Sequence, residues 1–348
     1  MTRQTWTAFV SAFFFVGLAV TLAVMPVPFV SWSPGQARDT LAMVGNEPII
    51  KVEGTETYPT NGRLDMTVVS VTPSESRHSL PQALLAYWMP YRDSLPRSAV
   101  YAPGQTAEEV EADEISAMRT SQDAAIVAAL RAAGQPVVEM PAIFSVTVGG
   151  PAHNLLIPGD LVSAVDGFNT VSTSDVTERV KDHEVGDKIV FDTIRDGVAM
   201  RIIVTAAEST ISSGQIVVGV GLGTGYRYQP KISFDIGHQI GGPSAGLVFA
   251  LAIYDKVTDG PLLGHRHVAG TGTIDASGRV GPIGGIQEKV AGADQAGATI
   301  FLLPAENCPD MLGVQTDLNL VKVASLGEAI SAMQALAGDS SAAVPRCG

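Results

Sequence analysis

Three side chains in the C-terminal third of the sequence have the types and surroundings that nucleophilic catalysis needs. Ser244 stands in Gly241-Gly-Pro-Ser-Ala-Gly246, ahead of the apolar run Leu247-Val-Phe-Ala-Leu-Ala-Ile-Tyr254. A serine hydroxyl attacks poorly unless a base takes its proton. The start of a helix also offers N–H groups that can stabilise an oxyanion. Lys289 closes Gly281-Pro-Ile-Gly-Gly-Ile-Gln-Glu-Lys289, among the apolar Ile283, Ile286 and Val290, with Gly284 and Gly285 allowing close backbone approach. A lysine serves as a base only where desolvation lowers its pKa toward ~7–8. Thr271, in Thr271-Gly-Thr-Ile274, can orient such a lysine by a hydrogen bond. Each residue also has a plain reading: a serine after Gly-Pro is usually a helix cap, and a lysine early in a helix is usually solvated.

The three segments together resemble the proteolytic domain of Lon-type serine proteases, whose nucleophile, threonine and lysine segments occur in this order and spacing. The resemblance runs over residues 213–338. It implies a Ser-Lys dyad that hydrolyses peptide bonds, with Ser244 as nucleophile, Lys289 as general base and Thr271 as auxiliary. One departure stands out: Gly241 and Gly242 occupy positions where that family often has an acidic residue.

Rival chemistries fare worse. The segment around Ser244 also fits the nucleophile elbow of α/β-hydrolases, which needs an acid and then a histidine well downstream, yet the last histidine is His267. His265 and His267 form an H-x-H that reads as a surface loop pair, since no carboxylate motif accompanies it. His78, His153, His183 and His238 are scattered, and no metal site is expected. With no G-x-x-x-x-G-K-[ST] in these residues, no nucleotide is expected either. No cofactor is implied. Cys308 and Cys347 are too few for a disulfide framework, and a bridge between them is left open.

The elements that must position these residues follow from the rest of the chain. Its 348 residues leave room for two or three domains. The net charge of −13 argues against nucleic acid as a partner. Trp6 to Met25 is uncharged and long enough to cross a bilayer, and Pro26 and Pro28 end the helix. The apolar run is longer than a signal-peptide core, so residues 1–30 are expected to form an uncleaved anchor. Arg3 ahead of the helix predicts an inside N-terminus and a body outside the cytoplasmic membrane of a bacterium.

Residues 35–133 read as strands, Pro48-Ile-Ile-Lys-Val and Arg63 to Val71, broken by an Asn-Gly turn at 61–62. Helices follow over 81–91 and 106–133, the latter opened by a Thr106/Glu109 capping box. This region is expected either to stand alone or to belong to the catalytic fold, with the next module inserted into it. Residues 134–208 carry GGPAH at 149–153, Gly159-Asp160, Val165-Asp-Gly167, GDKI at 186–189 and Arg195-Asp-Gly197. As a set these resemble a PDZ domain of the kind attached to bacterial proteases. The resemblance implies that a peptide adds to the edge of strand 143–148 beside a loop at 139–142, although Pro141 removes one N–H donor there. Residues 339–348 are expected to be a frayed tail.

The expected protein is therefore α+β: a transmembrane helix, a β-rich PDZ-like domain and a Lon-type α/β proteolytic domain. It is expected to be an ATP-independent serine endopeptidase acting on protein or peptide substrates, with homo-oligomers left open. The rival is a PDZ scaffold whose Lon-like domain binds peptides without cleaving them. Retention of Ser244, Thr271 and Lys289 argues against it.

Overall fold

A computed structural model describes residues 3–73, 75–76, 78–209, 212, 214–237 and 240–347. The chain divides into two compact units, one built from residues 1–134 and 230–348 and the other from 135–229.

The first unit begins with an apolar helix, Arg3–Val24, none of whose residues is buried. Its core is a five-stranded sheet in the order Asn319–Val323, Ile300–Pro304, His267–Gly270, Arg63–Met66, Arg38–Asp39. The first four strands are parallel and the last is antiparallel. A parallel strand covered on both faces needs apolar residues on both, and Ile300-Phe-Leu-Leu-Pro304 is buried throughout. The helix Gly246–Val257 is likewise enclosed on all sides: Leu247, Val248, Phe249, Leu251 and Ile253 are fully buried, contributing roughly 1.5–3 kcal/mol each. The long helix Ala107–Ala132 packs along it. This long helix starts at the Thr106/Glu109 capping box, in which the Thr106 hydroxyl accepts from Glu109 N–H and the Glu109 carboxylate accepts from Thr106 N–H.

The runs on either side of the Asn61-Gly62 turn enter different sheets. Ile50–Glu53 pairs with Lys231–Phe234, while Arg63–Met66 enters the central sheet beside His267–Gly270. The tail expected to be frayed is instead held over residues 345–347. Cys347 is bonded to Cys308, Lys322 N–H donates to Pro345 C=O, and Cys347 packs against the core around Phe301 and Met311.

The second unit is an antiparallel sheet in the order Val198–Thr205, Lys188–Arg195, Leu161–Val165, Val138–Val146, Val220–Arg227. One helix, Thr173–Lys181, turns Val176 and Val180 into its core, which includes Ile143, Val162, Ile189 and Phe191. The Gly-Asp and Arg-Asp-Gly turns meet in an ion pair, for Arg195 reaches both oxygens of the fully buried Asp160 at 2.7 Å. Two expectations fail here. The stretch 214–229, assigned from sequence to the catalytic domain, belongs to this unit, and Ser213, the expected boundary, lies outside the described residues. Residues 139–142 are strand rather than loop, and the edge expected to receive a peptide is already paired with Val220–Arg227.

Candidate active site

The sequence forms the turn that carries Ser244 by placing Pro243 and Ser244 just before an apolar helix that begins at Gly246. Two neighbouring residues clasp that turn. Gly272 N–H donates to Ser244 C=O at 2.8 Å, and Leu247 N–H donates back to Gly272 C=O at 3.1 Å. The Thr271 hydroxyl donates to the same Ser244 carbonyl at 3.0 Å.

Lys289 arrives from the other side, in the first turn of the helix Ile286–Gln295. Gly285, just before it, has φ 68°, and a Cβ there would lie 3.0 Å from the Trp32 ring and from Val69. Only glycine satisfies both conditions. Asn307, 4% exposed, holds Ile283, two residues before Gly285, at both ends: Oδ1 accepts from Ile283 N–H and Nδ2 donates to Ile283 C=O, each at 3.0 Å.

The result is a short chain of contacts. Lys289 Nζ lies 2.6 Å from Ser244 Oγ and 3.1 Å from Thr271 Oγ1. Because the Thr271 proton is committed to the Ser244 carbonyl, Thr271 Oγ1 presents a lone pair to Nζ. Ser244 is half-buried, whereas Lys289 is 2% and Thr271 0% exposed. Burial pushes the Lys289 amine down to about 7. The adjacent Glu288 is also buried, and its carboxyl is pushed up by burial and further by the neighbouring Asp93.

Other residues singled out from sequence lie elsewhere. His267 is on a central strand, not in a surface loop, with Nε2 2.8 Å from the buried Asp65, which also takes Arg63 at 2.7 Å. His183 faces Asp166 and His78 faces Thr72. His238 lies outside the described residues. Among the described residues no cluster of three His, Cys, Asp or Glu side chains is arranged to hold a metal ion.

Residues 236–335 match the family model of the Lon protease (S16) C-terminal proteolytic domain. Over this segment the chain is similar to Lon-type proteolytic domains. The chain is 47% identical across 70 residues to the Lon protease of Roseiflexus castenholzii, a match covering 20% of this chain and 8% of that one. It is 39% identical across 94 residues to the Lon protease of Rhizobium meliloti, covering 26% and 11%. The chain thus spans about a tenth of the length of these curated relatives. Among solved structures, the PDZ domain of an SdrC-like protein from Listeria monocytogenes aligns at 20% identity and TM-score 0.22, covering 24% of this chain and 86% of that one. Its counterpart from Listeria innocua aligns at 21% and 0.22, covering 23% and 90%.

The Lon-type domain is buttressed from outside the matched segment. The buried Ser121, on the long helix, donates to Pro243 C=O at 2.8 Å, and its Oγ leaves no room for a Cβ at Gly246. One face further along, Glu114 C=O accepts from Gly242 N–H at 3.1 Å, and a side chain at Gly241 would collide with the Glu114 carboxylate. Sequence reading missed Ser121, Asn307 and Trp32. Ser121 lies 122 residues from its partner, and nothing local marks it.

Proposed function

We propose that the protein is a membrane-anchored serine endopeptidase that works without ATP, with Ser244 as nucleophile, Lys289 as general base and Thr271 as the residue that orients the lysine. The observation that carries this reading is the 2.6 Å contact between Ser244 Oγ and a buried Lys289 whose amine is lowered to about 7. A neutral amine has one lone pair and two N–H bonds. One N–H is directed to Thr271 Oγ1, which turns the lone pair toward the Ser244 hydroxyl.

In acylation the Lys289 lone pair takes the Ser244 proton as Oγ bonds to the scissile carbonyl carbon. The resulting ammonium then gives that proton to the departing amine as the C–N bond breaks. Deacylation repeats the cycle with water in place of Ser244. The oxyanion falls to N–H groups at the start of the helix Gly246–Val257. Those of Gly246 and Leu247 are already engaged by Pro243 C=O and Gly272 C=O, which directs that role to Ser244 and Ala245 and narrows the set expected from sequence.

The absence of a phosphate-binding loop from these residues supports ATP-independent action on unfolded or extended segments. The apolar helix Arg3–Val24 supports an anchor, and Arg3 ahead of it supports a body outside the cytoplasmic membrane. A disulfide between Cys308 and Cys347 fits an oxidising compartment. For the second unit, peptide capture remains part of the proposal, at the outer edge of Val220–Arg227.

The test is cleavage of an unfolded protein such as casein by the detergent-solubilised full chain without nucleotide. Wild type should cleave it, and Ser244→Ala, Lys289→Ala and the double variant should be equally inactive, because members of one catalytic unit are not additive. Retention of more than about a tenth of the activity by Lys289→Ala would remove the dyad.

A further inference from the structure

The helix Leu80–Trp88 is turned inside out relative to an ordinary surface helix. Its small residues, Ala83 and Ala86, face the protein and are buried. Its large apolar residues face outward: Leu84 is 39% exposed, Leu85 59%, Tyr87 69% and Trp88 72%. A helix normally buries its large apolar side chains and exposes its polar ones, and a contiguous exposed apolar patch marks an interaction surface.

The position of this helix identifies the partner. The apolar helix ends at Val24, and two residues later Pro26 and Val27 pair with Ser79 and His78. Ser79 is the N-cap of the helix Leu80–Trp88, its N–H bonded to the Gln82 side chain at 2.9 Å. Two residues of chain span at most ~7 Å, so the ladder fixes the exposed face close to where the apolar helix leaves hydrocarbon. The helix also touches the apolar helix itself.

Its chemistry fits the same place. From His78 to Tyr91 there is no Asp, Glu, Lys or Arg, in a chain whose net charge is −13, so nothing there repels anionic headgroups or resists entry into the acyl boundary. Tyr and Trp favour the headgroup level, where an apolar ring and a polar tip are both satisfied, and leucine favours the layer beneath.

We infer that Leu80–Trp88 is a second membrane contact: an interfacial helix that lies in the bilayer surface with Leu84, Leu85, Tyr87 and Trp88 inserted. A single spanning helix leaves the body free to rotate and tilt about one tether. A second attachment beside it fixes the orientation of the catalytic unit relative to the lipid. The inference rests on the reading of Arg3–Val24 as an anchor.

The test uses the full chain in phosphatidylcholine vesicles, in a Trp6→Phe background so that the spanning helix is silent, with and without Trp88→Phe. The difference in emission between the two proteins belongs to Trp88. Acyl chains brominated near the headgroup should quench that difference about twofold. Quenching by aqueous iodide alone would mean that the face lies in water. Quenching by neither would mean that protein covers it, as in an assembly of copies of this chain, and either result overturns the inference. Flotation with the vesicles separates the two readings: a wild type that does not float loses the anchor and the interfacial helix together, whereas one that floats with Trp88 unquenched by bromine loses only the helix.

Discussion

Lys289 carries opposite demands at one atom. Its folded pKa of about 7 lies below the ordinary 10.5, so between these values the unfolded chain binds a proton that the folded chain does not. Stability contributed by this site therefore rises with pH from about 7 to about 10.5, and below pH 7 the fold bears the full penalty, of the order of 5 kcal/mol. Lys289→Met removes the penalty at a site buried enough to accept a thioether. The variant should be inactive, yet melt above wild type at pH 7, with the gap closing as pH approaches 10. A melting temperature below that of wild type at pH 7 would show that Lys289 is held as a charged structural partner. Under the proposed mechanism the same ionisation governs activity, because only the neutral amine accepts the serine proton. For a short peptide substrate kcat/KM should rise with pH through a single midpoint near 7 and then level off. A midpoint still near the free-lysine value would contradict a buried base.

At the scale of elements, the lysine helix depends on what holds the turn before it. Asn307 grips Ile283, and the next residue, Cys308, is bonded to Cys347, 39 residues on. Closing a loop of that length stabilises by about 3–4 kcal/mol. Reduction of the full chain, or Cys308→Ser with Cys347→Ser, should therefore lower the melting temperature and weaken activity together. Unchanged activity and melting on reduction would show that Asn307 holds Ile283 unaided. Elements of this kind divide by how far the sequence reveals them. The helix at Ala107–Ala132 was legible because a capping box is a four-residue signal, and the Ser244, Thr271 and Lys289 segments were legible because their order and spacing are distinctive. Pairing partners were not. An Asn-Gly at 61–62 favours a hairpin locally, but Arg63–Met66 gains more by burial in the parallel sheet. Strand Val220–Arg227 was assigned to the wrong unit because three glycines and a tyrosine do not say which edge they will cover. Ser121 and Asn307 are small polar residues whose roles exist only once remote backbone reaches them.

On the scale of the whole molecule, the 22-residue apolar helix, as the proposed anchor, would give the body a hydrophobic rather than an electrostatic hold on lipid. The protein should stay in the membrane pellet through high salt and carbonate and be released by detergent. A soluble form beginning near Val30 would mean that the helix is removed after export. The sheet topology also bears on how the chain is made. The central sheet joins Arg63–Met66 to His267–Gly270, so that Asp65 meets His267 across 202 residues. At roughly 5–20 residues per second of synthesis, the first strand waits on the order of ten seconds or more for its neighbour, with one apolar face uncovered. The unit at 135–229 is contiguous and can fold during that interval. Ser244 and Lys289 both follow that unit, so the candidate site cannot come together until the chain has been made past Lys289.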